Sequence, residues 1–405
     1  MKSKRLGALA LALVLALTTL SGCGGKSGGS SASGSGPSSG SSGGSDNPGG
    51  SPQASAMDLS QVDDPYLAVS GLAADETVIT VGDAEIAAAD YLYWLNRVIS
   101  SYLSGLSSQY GGMVSSPDWD VELADGLTFG QYFLEQAADT ALLYAVLRQL
   151  AQTEGLSPDP SIAAGTNDDY AGIVLQLGGD ETRATHFLWT NMLTKEQLVK
   201  LNEDDNLYDQ LQELYYGENS DGYPTDAEVN AYLDEAGRYK CKHILLATID
   251  LETREPLDEE TIARQRATAD ELLARLRAAE DHVALFDQLM HEYSEDTGLA
   301  TNPDGYDTYK GQMVAPFEKA ALALNVGEIS EVVESDFGYH IILRLPIDPA
   351  SYRDECVSYL MEERIDAERD RLGVVRTDAF GRLDLDSFWN NMLSLQSAFQ
   401  AELAG

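Results

Sequence analysis

Residues 311–322 read Gly-Gln-Met-Val-Ala-Pro-Phe-Glu-Lys-Ala-Ala-Leu, and Gly327-Glu328-Ile329-Ser330 and Gly338-Tyr339-His340-Ile341-Ile342-Leu343 follow closely. The first stretch predicts a short helix over 314–322 with Phe317 and Leu322 facing inward. Met313 and Phe317, four residues apart, are expected on one helical face. Residues 329–333 and 339–345 alternate or run apolar, as strands do. Some seventy residues upstream, Lys242-His243-Ile244-Leu245-Leu246 predicts a buried strand. Between the two lie helical patterns over 262–276 and 283–293. From Lys240 to Arg344 the order is therefore strand, helix, helix, short helix, strand, strand.

Taken singly these residues are ordinary. A strand histidine is most often a satisfied core residue, and Met313 and Phe317 alone would be core. Their conjunction with Tyr293-Ser294-Glu295-Asp296 within one hundred residues resembles the parvulin-type peptidyl-prolyl isomerases, whose fold is a small antiparallel sheet wrapped by helices. The resemblance implies a site. His243 and His340 match the two histidines at the base of the proline pocket, and Met313 and Phe317 match its floor. Asp296 takes a position that is Cys in some parvulins, and Ser335 takes that of a hydroxyl joining the histidines. Gln312 lies beside the pocket to bond the substrate backbone, and Phe337 joins the substrate-binding set. His243, Asp296, Ser335 and His340 are then the catalytic set, expected to shape the pocket as a hydrogen-bonded network without nucleophile, metal or cofactor. His186, His282 and His291 lack such company and read as structural or surface residues.

The chain departs from the family in one loop. Parvulins usually carry Gly-Gly-Asp-Leu-Gly before the Gly-Gln-Met segment. Here Asn302-Pro303-Asp304-Gly305-Tyr306 stands instead, which removes a leucine from the pocket edge and leaves Tyr306 or Tyr309 to cover it. Residues 251–260 hold one Arg and five acidic residues, not the basic cluster of phospho-specific parvulins, which argues against a phosphorylated substrate.

At the start, Lys2, Lys4 and Arg5 precede an apolar run over 6–20, too short to span a membrane comfortably and followed by small residues, as in a secretory signal. Leu20-Ser21-Gly22-Cys23 resembles the lipobox of bacterial lipoproteins, which implies cleavage after residue 22, acylation (palmitate-type) of Cys23 and attachment to the lipid bilayer. Residues 24–56 are mostly Gly and Ser, with too little apolar surface to offset the entropy of ordering them. Such a tether spans about 30 Å root-mean-square and roughly 110 Å when stretched. The formal net charge is −40, more negative still once the leader's three cations are gone. So acidic a chain argues against nucleic acid and against adsorption on anionic lipid. Three cysteines leave Cys241 and Cys356 after Cys23, and they read as two buried thiols.

The remainder is long enough for two domains. A hairpin opens near residues 76–86 around Gly82-Asp83. Tyr91, Trp94, Leu95, Val98, Tyr102 and Leu103 fall at helical spacing; so do Leu134, Ala138, Ala141, Leu142, Ala145 and Val146, and then Phe187, Leu188, Met192, Leu193 and Leu198. Thr225-Asp226-Ala227-Glu228 is a capping box opening a short helix. This arrangement resembles the chaperone domain of the PrsA and SurA foldase lineage. Residues 351–373 form another amphipathic helix, with Tyr352, Cys356, Leu360 and Ile365 in one stripe and Gly373 as its stop, and a second follows over 383–403. The fold class is thus α+β, with boundaries at 1–22 for the signal peptide and 23–56 for the lipidated Cys and tether. A chaperone domain over 57–238, a parvulin domain over 239–346 and a C-terminal segment over 347–405 complete it. In the family that last segment returns to the chaperone domain, and related foldases can pair, which leaves a homodimer open.

The resemblance implies a lipid-anchored foldase on the extracytoplasmic face of a bacterial cell membrane, acting on unfolded exported chains that contain X–Pro bonds. The alternative is a holdase whose parvulin domain has lost useful catalysis, motivated by the loop at 302–306. An adhesion scaffold fits the tether and the acidic balance but leaves the pocket residues unexplained. There is no His-Glu-x-x-His, phosphate loop or Gly-x-Ser-x-Gly elbow in the folded part.

Overall fold

Gly82, at φ +57, turns the chain between β1 (Thr77–Val81) and β2 (Ala84–Ala87), where a two-residue loop needs a positive φ. The structure, a computed structural model, describes residues 57–110, 117–124 and 126–404. The expected leader, Cys23 and tether lie outside the described residues. Before the hairpin stands α1 (Pro65–Ser70), and after it α2 (Ala88–Tyr110). The short pair β3 (Glu122–Ala124) and β4 (Leu127–Thr128) leads into α3 (Phe129–Thr153). Then come α4 (Pro160–Gln176), α5 (Glu181–Trp189), α6 (Lys195–Tyr216) and α7 (Asp226–Glu235).

Capping boxes at Thr128, Thr194 and Thr225 start α3, α6 and α7, each with its partner Gln or Glu three residues on. They satisfy donors that a helix start leaves unpaired. Tyr91, Trp94 and Leu95 are buried, and Trp94 stacks on Tyr144 of α3 at 5.1 Å. Two expectations need correction. Tyr102 is 39% exposed, although it lies edge-on to Phe129 and Phe133. The helical spacing of Phe187, Leu188, Met192, Leu193 and Leu198 is not one helix: α5 stops at Trp189, Met192 adopts φ +54, and α6 begins afresh at Lys195.

Beyond the central sheet, α11 (Arg353–Leu372), β9 (Val374–Arg376), α12 (Asp378–Gly381) and α13 (Leu385–Ala404) follow. Gly373 stops α11 at φ +77, and β9 pairs antiparallel with β1, Ile79 opposite Arg376 and Val81 opposite Val374. Helix α11 packs on α3, α6 and α7, and α13 on α1 and α5. Cys356 of α11 is buried with Val229 and Leu233 of α7. Both Cys241 and Cys356 are free thiols.

Between these two helical stretches runs a four-stranded antiparallel sheet in the order β6-β5-β8-β7. Its strands are β5 (Arg238–Ala247), β6 (Tyr306–Tyr309), β7 (Val333–Ser335) and β8 (Gly338–Leu345). Helices α8 (Glu259–Ala278) and α9 (His282–Tyr293) cover one face, burying Ile244, Leu246, Ile341 and Leu343 with Leu272, Phe286 and Leu289. Helix α10 (Ala315–Ala323) covers the other, where Phe317 and Ala321 meet Tyr239, Cys241 and Ile342. Helices on both faces explain why residues 243–247 of β5 and 338–343 of β8 are continuously buried, while the start of β5 alternates. Where the chain enters the sheet, the Arg238 guanidinium lies between the rings of Tyr309 and Tyr352, 4.6 and 4.0 Å from their centroids. It also donates to Asp307 at 2.7 Å.

The fold class is α+β, mostly helical with small antiparallel sheets. Four local expectations around the sheet are corrected. The strand expected over 329–333 reduces to a single bridge from Ile329 to Leu343, with Ser330 bonding Ile342 through both its backbone and its hydroxyl; the paired segment begins only at Val333. Strand β6 has no counterpart in the expected order. Helix α10 starts at Ala315, so Met313 precedes it. Leu322 points outward at 39% exposure, since Ala321 occupies the inward position one turn after Phe317.

Candidate active site

Register decides which side chains meet. In the β5–β8 pairing His243 faces Ile342 and His340 faces Leu245. The two histidines therefore share a face, diagonally offset, within reach of one another. Both are buried. After α9, the chain lies along β5: the Ser294 hydroxyl accepts from Leu245 N–H at 3.1 Å, and Glu295 N–H donates to the Leu245 carbonyl at 2.8 Å. The Glu295 carboxylate accepts from Ala247 N–H at 2.6 Å. This anchoring sets Asp296 beside His243 and gives the Tyr-Ser-x-Asp sequence a physical role.

A continuous polar run results. Ser335 Oγ is 2.7 Å from His340 Nε2, and the two Nδ1 atoms of His340 and His243 are 3.1 Å apart. His243 Nε2 lies 3.0 Å from Asp296 Oδ2. The Tyr306 hydroxyl donates to that same oxygen at 2.5 Å, while Gly298 N–H donates to Oδ1 at 3.0 Å. Phe317 closes the run from the α10 side, nearly edge-on to both imidazoles at 5.1 and 5.3 Å between centroids.

Charges follow from these partners. Burial alone would raise the Asp296 carboxyl, but the hydrogen bonds from His243 and Tyr306, the His243 ring and Gly298 N–H together outweigh it and hold the group down at about 2. Burial, reinforced by His243, drives His340 down to about 3 against the opposing pull of Asp296. The Asp296 carboxylate is acceptor-only, so His243 Nε2–H and Tyr306 O–H must donate to it. One proton assignment then satisfies every atom in sequence: Ser335 O–H to His340 Nε2, His340 Nδ1–H to His243 Nδ1, and His243 Nε2–H to Asp296. Ser335 Oγ in turn accepts from Phe337 N–H at 3.2 Å. A fully paired buried network of this kind is rigid and fixes one geometry.

The depressed His340 carries a stability prediction. An imidazole near 6.5 when unfolded and near 3 when folded contributes stability that is complete above about pH 6.5. That stability is lost progressively as pH falls toward 3, with a slope of at most ~1.4 kcal/mol per pH unit. Asp296 adds its own loss only lower, from about 4 toward 2. Chemical denaturation between pH 7 and 4 should show the decline, and His340→Gln should flatten it. An unchanged slope in that variant would contradict the assignment.

Of the residues singled out in the sequence, His243, His340, Asp296, Ser335 and Phe317 are brought together. Met313 is half-buried against the Phe317 cluster. Gln312 is exposed in the turn before α10, its N–H bonded to the Tyr309 carbonyl. Phe337 lies in the β7–β8 turn beneath the Arg254 guanidinium, 4.8 Å from its ring centroid. Tyr306, named from sequence only as a cover for the pocket edge, is a bonded member of the network. Its signal was the departure of residues 302–306 from the family pattern. Tyr309 turns instead to Arg238. His186 bonds Glu402 at 2.7 Å and His282 bonds the Gly327 carbonyl at 2.8 Å, while His291 is exposed.

Residues 243–345 match the Rotamase family, described as a PPIC-type PPIASE domain. A "Foldase protein PrsA" of Halalkalibacterium halodurans is 39% identical over 124 residues, 29% of this chain and 31% of that protein. The peptidyl-prolyl cis-trans isomerase Pin1 of Malus domestica is 37% identical over 84 residues, 20% of this chain and 69% of that protein. The crystal structure of peptidylprolyl isomerase (PrsA) from Bacillus cereus aligns over 80% of this chain and 100% of its own, at 18% identity and a TM-score of 0.27. The chain spans only 28% to 55% of the lengths of the curated foldases it matches. Through residues 243–345 the chain belongs to the parvulin (PPIC-type) family of peptidyl-prolyl cis-trans isomerases.

Proposed function

We propose that this protein is a foldase that speeds rotation about X–Pro bonds of unfolded exported chains while held by a lipid anchor on the extracytoplasmic face of the cell membrane. The observation that carries the catalytic part is the paired run from Ser335 through His340 and His243 to Asp296, beneath an edge-on Phe317.

Rotation about an amide faces a barrier of ~18–20 kcal/mol that arises from resonance. Nothing has to be bonded or broken to lower it. An apolar wall against the prolyl ring, here Phe317 with Met313 at its edge, disfavours the charge-separated planar amide and grips the ring while the preceding carbonyl swings. The polar run beneath supplies a fixed electrostatic frame that does not reorganise as the bond turns. A nucleophile is neither needed nor provided. Cys241 is fully buried, and burial pushes its thiol up to about 12. The Asp296 oxygens are already engaged by His243, Tyr306 and Gly298.

In the same reading, residues 57–238 and the returning 347–405 hold client segments, and residues 239–346 turn their prolines. Cys23 carries the acyl anchor, and residues 24–56 give it reach. The lipobox-like Leu20-Ser21-Gly22-Cys23 and the foldase relatives support this. A homodimer through the helical part is compatible with it. The test joins location to action. The protein should sediment with membranes, and Cys23→Ser should release it to the medium. The released form should still accelerate the slow, proline-limited refolding phase of a secreted protein, a phase of tens of seconds unaided. A slow phase that stays unchanged while aggregation falls would favour the holdase. Cys23→Ser remaining on membranes would end the anchoring claim.

A further inference from the structure

We propose that Tyr306 is a positioning residue of the isomerase site, acting through Asp296, and that glycine at 298 is what admits its hydroxyl. The inference rests on the isomerase reading above for its activity readout. Tyr306 stands in the loop where this chain departs from its family, on a strand the sequence pattern did not announce. Strand β6 pairs with β5, placing Tyr306 opposite Cys241, one strand across from His243. From there its ring tilts against the His243 imidazole, 5.6 Å between centroids, and its hydroxyl donates to Asp296 Oδ2 at 2.5 Å. That oxygen is the one His243 Nε2 also bonds, at 3.0 Å. Tyr306 therefore touches both members of the His243–Asp296 pair and holds one carboxylate oxygen, while the Gly298 N–H holds the other.

The space behind the hydroxyl is equally specific. A Cβ built on Gly298 would sit 2.1 Å from Tyr306 Oη and 3.3 Å from its Cζ. Gly298 is not among the glycines at positive φ, so alanine carries no backbone penalty there, and its N–H would still reach Asp296. The one atom that forbids a side chain at 298 is the tyrosine hydroxyl. A tyrosine that merely filled the gap left by the missing leucine would not need that clearance. The titratable groups that act on Asp296 and Tyr306 are His243 on β5, with His340 of β8 behind it, and the Cys241 thiol on β5; the neighbouring Glu295 carboxylate turns to Ala247 N–H.

The test is a double-mutant cycle in the full chain. Tyr306→Phe removes one oxygen and keeps the ring; Gly298→Ala displaces that oxygen with one methyl, which would also lie 3.3 Å from Tyr306 Cζ and 3.4 Å from Asp296 Oδ1. Each should lower kcat for a short X–Pro peptide by about tenfold with KM little changed, the cost of one charge-assisted hydrogen bond. The double variant should be no slower than either single one, because both remove the same contact. Losses that multiply to about a hundredfold would show two independent sites and overturn the proposal. A second readout does not depend on turnover. The imidazole 15N signals of His243 and the carboxyl 13C titration of Asp296 should both move in Tyr306→Phe and in Gly298→Ala, the carboxyl titrating at higher pH in each. Signals indifferent to the hydroxyl would refute the positioning role. A wild-type protein with no turnover would strike at the isomerase reading, while these spectra still decide whether Tyr306 holds Asp296.

Discussion

Phe317→Ala is expected to remove nearly all isomerase activity and to destabilise the sheet domain by about 3–5 kcal/mol. The side chain is 3% exposed and sits edge-on to both histidines. Its deletion opens a cavity directly over the polar run. Two effects then combine. The prolyl ring loses the wall it is gripped against, and water gains access to a network whose strength depends on its exclusion. Phe317→Leu separates them: most of the volume remains, but the edge-to-face contacts with the imidazoles, worth about 0.5–1.5 kcal/mol, are lost. Activity in the leucine variant should fall between wild type and alanine. Urea unfolding and peptide isomerisation on the same samples check both quantities. An alanine variant with near-normal turnover would mean that the proline pocket lies elsewhere.

Gly338→Ala should be the most damaging single methyl in the parvulin domain. Gly338 has φ +144, a region in which a side chain is strained. A Cβ there would meet the Leu246 carbonyl oxygen at 2.2 Å and the Ala247 Cα and Thr248 N at 2.8 Å. These are backbone atoms of β5 and the residue after it, so no side chain can move aside. Relief requires opening the β5–β8 pairing where Ala247 faces Gly338, and the same shift disturbs Ser335, which pairs with Gly338 from β7. A loss of about 4 kcal/mol or more is expected, with β8 amides exchanging early and the Ser335–His340 contact broken. A variant within about 1 kcal/mol of wild type would show that the hairpin can be re-registered at little cost.

Much of this site was legible in the chain. The family resemblance named His243, His340, Ser335 and Asp296 together, and the register of β5 and β8 with the docking of residues 294–296 on β5 brings these four side chains within hydrogen-bonding distance. What escaped the reading depended on partners distant in sequence. β6 is four residues of Tyr-Asp-Thr-Tyr with no apolar alternation, and it is a strand only because β5 offers an edge to pair with. Leu322 was expected inside by hydrophobicity, yet the position one turn from Phe317 belongs to the smaller Ala321. Met313 keeps its place at the edge of the Phe317 cluster, although the helix it was assigned to begins two residues later. In the helical part, the break at 190–194 lies between apolar residues at helical spacing, which by themselves read as continuous. The pairing of β9 with β1 joins segments some three hundred residues apart, which no local pattern encodes.

The most direct test of the central claim is isomerisation of a short X–Pro peptide by the purified protein beside Phe317→Ala and His243→Ala. The account predicts acceleration by wild type, near-complete loss with Phe317→Ala, and a marked loss with His243→Ala, which breaks the run between His340 and Asp296. A wild-type rate equal to the uncatalysed one, or full activity in the absence of either ring, would contradict it.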